Sequence, residues 1–208
     1  MLKKVIGFAM AAIMIFALAA CGQSSEGNNE SAEKDAAVPA VEEEADTNGD
    51  GKTLVAYFSW SGNTKEMASH IAEQTGGDLY EITPKEAYPE DYNETGDVAK
   101  IERDENMRPE IANLPESIDE YDRILIGYPI WWHTAPMIIG TFLESYDLSG
   151  VEVYPFTQSA SMDTEQFENS IDFVPENADG ANVHDGMFVS ASDTEGIDAY
   201  LSENGLMK

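Results

Sequence analysis

The stretch that decides the fold is Thr53-Leu54-Val55-Ala56-Tyr57-Phe58, and Ser59-Trp60-Ser61-Gly62-Asn63-Thr64 follows it directly. The first run is short, apolar and rich in β-forming residues, which is typical of a strand buried on both faces. Apolar residues at helical spacing then predict a helix over 64–74, ended by Gly76-Gly77. The segment between strand and helix offers hydroxyls, a glycine and helix-start N–H groups, which suit a phosphate. A Ser/Asn-rich helix cap is the other interpretation.

The same alternation of strand and helix continues along the chain. The sequence predicts strands over 78–82, 123–128, 151–156 and 181–189, and helices over 95–106, 136–146, 163–173 and 194–203. Strands that alternate with helices indicate a parallel sheet covered on both faces. Ligands of such sheets bind outside the carboxyl ends of the strands. The loops after the first, third and fourth strands are therefore the candidate site.

The loop after the third strand contains two adjacent tryptophans, in Pro129-Ile130-Trp131-Trp132-His133-Thr134-Ala135-Pro136. Neighbouring side chains in extended backbone point to opposite faces. At least one indole should therefore face the cleft, where it could stack on a planar ligand; packing of both under the neighbouring helices is the alternative. The loop after the fourth strand, Thr157-Gln158-Ser159-Ala160-Ser161, is small and polar and could hydrogen-bond a ring edge.

Two of these loops resemble the flavin loops of the flavodoxin family: Tyr57 through Thr64 resembles its FMN-phosphate loop, and Ile126 through Trp132, with Pro136, its second flavin loop. Tyr88-Pro89-Glu90-Asp91-Tyr92-Asn93 and Arg108-Pro109 are similar to a bacterial flavodoxin-like branch. The resemblance implies an α/β, flavodoxin-like three-layer sandwich. Its five-stranded parallel sheet would have the order 2-1-3-4-5, and it would bind FMN noncovalently.

The resemblance also implies roles for the loop residues. The phosphate would be held by Ser59, Ser61, Gly62, Asn63 and Thr64. The isoalloxazine would be enclosed by Pro129, Ile130, Trp131, Trp132, Thr157, Gln158, Ser159, Ala160 and Ser161. Trp60 and His133 complete the expected cofactor-binding set. Two positions depart from the branch: His133 stands where glycine is usual, and 158–161 replaces a glycine-rich run.

The function that follows is that of an FMN-binding redox protein, with electron transfer favoured. An FMN-dependent NAD(P)H:quinone or flavin reductase is an alternative, although the sequence offers no obvious nicotinamide site. A flavodoxin-fold binding module that has lost the flavin is another. His70 and His184 stand far apart in the sequence with no cysteine near them, so no metal site is expected.

The first twenty residues predict export. Lys3 and Lys4 precede an uncharged apolar run from Val5 to Ala20, which is short for a membrane span and typical of a signal peptide. The run ends in Leu18-Ala19-Ala20-Cys21, which resembles a lipoprotein lipobox, so Cys21 is the expected lipidation site. An ordinary secretory signal or an uncleaved anchor is the alternative. Since Cys21 is the only cysteine, cysteine nucleophiles and disulfides are not expected within the fold.

The predicted organisation is therefore a signal peptide at 1–20, a lipidated cysteine and disordered acidic tether at 21–52, and a flavodoxin-like domain at 53–208. The net charge is −29, from 40 acids against 11 bases, which argues against nucleic acid. The charge fits a redox partner protein with a basic docking surface, or a solvated exported surface. We expect the protein to face the outside of the cytoplasm, with its lipid as the membrane contact.

Overall fold

The computed structural model describes residues 51–161 and 163–208. The predicted signal peptide, Cys21 and the tether up to residue 50 lie outside the described residues. The elements in the described part are, in order, β1 Thr53–Tyr57, α1 Asn63–Thr75, β2 Asp78–Glu81, α2 Tyr92–Asp104, β3 Arg123–Pro129, α3 Met137–Leu143, β4 Glu152–Gln158, α4 Thr164–Asn177, β5 Asn182–Val183, β6 Met187–Phe188 and α5 Thr194–Glu203. None of the described helices has the length and apolarity to cross a membrane.

The strands form one parallel sheet in the order β2-β1-β3-β4-β5, with β6 also paired to β4. β1 lies between β2 and β3, so that Val55 aligns with Leu79 on one side and with Leu125 on the other. The predicted order 2-1-3-4-5 is confirmed, and a sixth short strand is added to it.

The single strand predicted over 181–189 is wrong, because the structure has two strands of two residues there. Asn182 and His184 donate backbone hydrogen bonds to the carbonyls of Val151 and Val153. Alternate residues of a strand face alternate neighbours, so Pro155 of β4 faces the same side as Val151 and Val153. Proline has no N–H to donate. The ladder is therefore interrupted opposite Pro155 and resumes at β6.

Two hydrophobic clusters, one on each face of the sheet, form the core. Val55 of β1 packs in the cluster that contains Ile71 of α1 and Leu201 of α5. Leu54, the adjacent residue, packs in the other cluster with Ile138 of α3. Successive side chains of β1 therefore point to opposite faces of the sheet, and both faces are buried. This arrangement gives the predicted three-layer sandwich.

The helices differ from the sequence predictions mainly at their ends. α2 begins three residues earlier than predicted because the side chain of Asp91 accepts hydrogen bonds from the backbone N–H groups of Asn93 and Glu94, at 2.9 and 3.1 Å. α4 continues to Asn177, past the predicted end at residue 173, with Pro175 inside it. α3 is only seven residues long, shorter than the predicted helix over 136–146.

The close packing around Gly127 of β3 can be tested by substitution. A Cβ atom at Gly127 would lie 2.1 Å from Cζ of Phe156, which is fully buried on β4. We expect Gly127→Ala to lower the free energy of unfolding by about 1–3 kcal/mol, since the ring would have to move within a close-packed core. Urea unfolding of the full chain measures this. The matched control is Gly96→Ala in α2, where a Cβ would meet nothing within 4 Å. That control should be neutral or stabilising by up to about 1 kcal/mol, and an equal loss in both variants would contradict the explanation.

Candidate functional site

The loops that follow β1, β3 and β4 meet at the carboxyl edge of the sheet around a cavity of about 720 Å³. This volume lies within the range of small-molecule sites, which is roughly 300–1,000 Å³. The predicted site residues that line it are Trp60, Ser61, Asn63, Pro129, Ile130, Trp131, Trp132, His133, Gln158, Ser159, Ala160 and Ser161. The three loops chosen from the sequence are therefore brought together at one place.

The first loop ends at the N-terminus of α1. Gly62 is the N-cap residue with φ at +95°, and none of the described side chains caps this helix end. The N–H groups of the first turn have no acceptor within the helix, and together with the helix dipole they favour an anion. Thr64, in the first turn of this helix, is 1 % exposed. This end of the cavity can therefore receive a phosphate group.

Four predicted site residues do not line the cavity: Ser59, Gly62, Thr64 and Thr157. Ser59 shapes the first loop, since its hydroxyl accepts the N–H of Gly62 at 3.1 Å. Thr157 is fully buried, and its hydroxyl donates to the carbonyl of Tyr128. Lys65, the cation nearest the first loop in sequence, pairs with Glu81 at 3.0 Å. Anion binding at this loop would therefore depend on N–H and hydroxyl groups.

The two tryptophans of the second loop have different surroundings. The Trp131 ring contacts those of Phe58 and Tyr88 edge-on, at centroid distances of 5.3 and 5.0 Å, which fixes it against the core. Trp132 is 43 % exposed. Because both rings also line the cavity, the loop offers one anchored and one exposed aromatic surface for a planar ligand.

The second loop turns sharply at Trp132 and His133. Trp131 and Thr134 exchange two backbone hydrogen bonds of 3.0 Å. Trp132 and His133 between them have φ angles of +49° and +65°. Turns of this kind favour Asn-Gly, because left-handed backbone costs other residues roughly 1–2 kcal/mol each. His133 stands where the similar bacterial branch usually has glycine, and its positive φ angle is one that glycine adopts most easily.

Contacts with α2 hold this turn in place. The indole Nε1 of Trp132 donates to the carbonyl of Gly96 at 2.8 Å, and Nη1 of Arg103 donates to the carbonyl of Trp132 at 3.2 Å. The Arg103 guanidinium also lies 5.6 Å from the centroid of the Trp132 ring, within cation–π range.

The wall of the cavity formed by α2 was not predicted from the sequence. Its residues are Tyr92, Asn93, Thr95, Gly96, Asp97 and Ala99, and Gln166 of α4 also lines the cavity. Trp60 connects the first loop to this wall, because its Nε1 donates to the carbonyl of Pro89 at 2.9 Å. The hydroxyl of Thr95 donates to the same carbonyl at 2.6 Å. The capping residue Asp91 was the sequence signal that could have located the start of this helix.

Behind the α2 wall lies a buried acid. Glu102 is 8 % exposed and accepts the hydroxyl of Tyr88 at 2.8 Å. Burial raises the pKa of Glu102, and the hydrogen bond from Tyr88 opposes that rise in part. Within the part of the chain that the structure describes, Asp97 is the one carboxylate that lines the cavity, and no lysine or arginine lines it. The wall facing a ligand is consequently aromatic and mostly uncharged.

The third loop is held by its own hydroxyls. The hydroxyls of Ser159 and Ser161 lie 3.0 Å apart, and the N–H of Ser161 donates to Ser159 Oγ at 3.3 Å. The carbonyl of Gln158 accepts the N–H of Ile130 at 3.4 Å, which joins the second and third loops. Within residues 51–161 and 163–208, no group of three His, Cys, Asp or Glu side chains is arranged to hold a metal ion.

A doubly wound parallel sheet with an uncapped helix N-terminus and an aromatic cleft at its carboxyl edge defines a class of α/β proteins that bind a phosphate-bearing planar ligand. A family model described as "Flavodoxin" matches residues 52–203. The chain belongs to the flavodoxin family. No curated protein sequence matches it at a significant level.

Solved structures agree with this assignment. The chain is similar to a candidate flavoprotein from Bacteroides eggerthii, with 36 % identity and a TM-score of 0.66 over 74 % of this chain and 98 % of that one. A flavoprotein from Lactobacillus acidophilus, crystallised in complex with FMN, has 33 % identity and a TM-score of 0.60 over 71 % of this chain and 99 % of that one.

The turn at His133 gives a prediction about stability. We expect His133→Gly to raise the free energy of unfolding by about 1 kcal/mol, because glycine adopts positive φ without steric cost. Thermal unfolding of the full chain checks it. Thr134→Gly, in the same turn but without positive φ, is the control and should lower stability. A His133→Gly variant no more stable than the wild type would show that the turn is unstrained.

Proposed function

We propose that this protein binds FMN noncovalently and acts as an electron-transfer flavoprotein. The proposal rests on two subsites that lie together at one edge of the sheet, one suited to a phosphate and one suited to a planar ring. The uncapped N-terminus of α1 lies at one end, where Ser61 and Asn63 line the cavity, and the exposed indole of Trp132 lies in the second loop. The family assignment and the FMN complex of the Lactobacillus acidophilus neighbour support the FMN binding.

Each of the three loops would contact a different part of FMN. Ser61, Asn63 and Thr64 would hold the phosphate, together with the N–H groups of the first turn of α1. Trp131 and Trp132 would cover the isoalloxazine and exclude water from it. Residues 158–161 would meet the ring edge with backbone and hydroxyl groups. The FMN supplies the redox chemistry, and these residues bind it, orient it and set its electrostatic surroundings.

The partner that we propose is a redox protein with a basic docking surface. The protein carries 40 acids against 11 bases, and a field of this sign attracts positively charged surfaces over a distance of about 10 Å at ordinary ionic strength. Tyr92 and Trp132, at the mouth of the cavity, are 77 % and 43 % exposed. An acidic surface around an aromatic rim is suited to a brief, salt-sensitive encounter.

A second candidate is a binding module that has lost the flavin. The observation in its favour is the third loop, where Ser159-Ala160-Ser161 contains no glycine. If the flavin edge must approach the backbone there, the methyl of Ala160 and the two hydroxymethyl groups would obstruct it. Direct measurement of FMN binding separates the two candidates.

The proposal predicts that the purified full chain, in mild detergent, quenches the fluorescence of added FMN at micromolar protein. Thr64→Val should weaken FMN binding about tenfold, because it removes a hydroxyl that we propose to contact the charged phosphate. The affinity for riboflavin, which has no phosphate, should not change. Fluorescence titration with both ligands measures this.

The control is Thr75→Val at the other end of α1, where the hydroxyl donates to the carbonyl of Ile71. It should leave both affinities unchanged. Absence of quenching by the wild-type chain would rule out the flavoprotein and favour the binding module.

A lipid anchor to the membrane is proposed separately, from the sequence of residues 1–21. We propose that the segment 1–20 is removed, that Cys21 carries the lipid, and that the domain lies outside the cytoplasm. Two or more acyl chains anchor a protein stably, whereas one chain binds only marginally.

Cys21→Ser tests the anchor, because serine has no thiol to accept the lipid. We expect the wild-type protein to fractionate with membranes and to have an intact mass that includes the lipid and excludes residues 1–20. The variant should lack the lipid mass and retain residues 1–20. Ser24→Ala, three residues away, is the control. Wild-type protein without added lipid mass would contradict the proposal.

A further inference from the structure

The strained turn at the mouth of the cavity is held from outside by one arginine. Trp132 and His133 both have positive φ, and neither is the glycine or asparagine that such turns favour. The carbonyl of Trp132 accepts Nη1 of Arg103 at 3.2 Å, and the guanidinium lies 5.6 Å from the ring centroid of the same residue. One side chain therefore contacts both the backbone and the indole of Trp132.

Arg103 is itself fixed by its neighbour in α2. Its Nε and Nη2 atoms donate to Oδ1 of Asp104 at 2.9 and 2.6 Å. Lys100 also pairs with Asp104, and these contacts lower the pKa of Asp104, the larger cause being the hydrogen bond from Lys100. The carboxylate therefore stays charged at neutral pH and leaves Nη1 pointing to the second loop. The guanidinium of Arg103 thus contacts Asp104 through Nε and Nη2, and the carbonyl of Trp132 through Nη1.

We propose that Arg103 is a positioning residue for the flavin site, acting through Trp132, an inference that rests on the proposed function. It holds the indole at the mouth of the cavity before the ligand arrives, so the ligand does not have to order the turn. A second contact of the indole, from Nε1 to the Gly96 carbonyl, also fixes the ring. A lysine could not replace Arg103, because an ammonium on a flexible stem lacks the planar fork that reaches both partners.

The test compares Arg103→Ala and Arg103→Lys with the wild-type full chain, by titration with FMN and with riboflavin. We expect both variants to bind both ligands about tenfold more weakly, the size typical of a lost hydrogen bond to a charged group. The factor should be the same for the two ligands, because Trp132 would contact the ring system, which they share. Thr64→Val, in contrast, should affect FMN alone.

The charge-matched control is Lys85→Ala, which removes one positive charge from an exposed pair with Glu110 outside the lining of the cavity. It should bind both ligands as the wild type does. Unchanged affinity in Arg103→Ala, wild-type affinity in Arg103→Lys, or an equal loss in Lys85→Ala would each overturn the proposal. A loss of FMN binding alone would also overturn it, since it would place the effect at the phosphate.

A readout without ligand separates this inference from the proposed function. The near-ultraviolet circular dichroism of Trp132 is obtained by subtracting the spectrum of Trp132→Phe from that of the wild type. Arg103→Ala and Arg103→Lys should both reduce this contribution, because the indole would no longer be fixed. If the wild type binds neither ligand, the proposed function fails and so does the role in flavin binding. An unchanged spectrum would show that Arg103 does not fix Trp132 at all.

Discussion

The parallel pairing of β1 with both β2 and β3 is the constraint on which the rest of the structure depends. β1 lies between β2 and β3. The chain goes from β1 through α1 to β2 on one side, and it reaches β3 on the other side only after the long connection that contains α2. The helices α1 and α3 consequently leave the sheet toward opposite faces, and a crevice opens between the loops that precede them. Gly127 beside Phe156 shows how closely the strands and side chains pack beneath that crevice.

The site combines a strained element with rigid support. The turn at Trp132 and His133 is unfavourable on its own. It persists because hydrogen bonds between Trp132 and α2, together with the antiparallel bridge between Trp131 and Thr134, hold it in place. α2 is in turn connected to the first loop, since the carbonyl of Pro89 accepts both Trp60 and Thr95. The connection between β2 and β3 therefore does more than cross over the sheet: it forms one wall of the cavity and braces two of the three loops.

The alternation of strands and helices in the sequence was sufficient for a parallel sheet and for the loops after β1, β3 and β4, because the carboxyl ends of parallel strands meet at one edge. The order of the strands came from the resemblance of those loops to the flavodoxin family. Two features depend on long-range geometry and could not be found in this way. The strand predicted over 181–189 is interrupted opposite Pro155, a residue of the neighbouring strand. The wall formed by α2 contains few apolar residues, and only the folded chain shows that Gly96 and Asp97 face the cavity.

Charge distinguishes the cavity from the rest of the protein. The chain has a net charge of −29, yet among the residues that the structure describes, Asp97 is the single carboxylate in the cavity lining, which contains no lysine or arginine. A phosphate at the N-terminus of α1 would be held by local dipoles, since Lys65 already pairs with Glu81. Dipoles act over the first turn of a helix, whereas net charge acts across the whole surface. Such a site can bind an anionic group locally while its surface repels anions at long range, so that a cationic partner approaches more readily than free anionic molecules do.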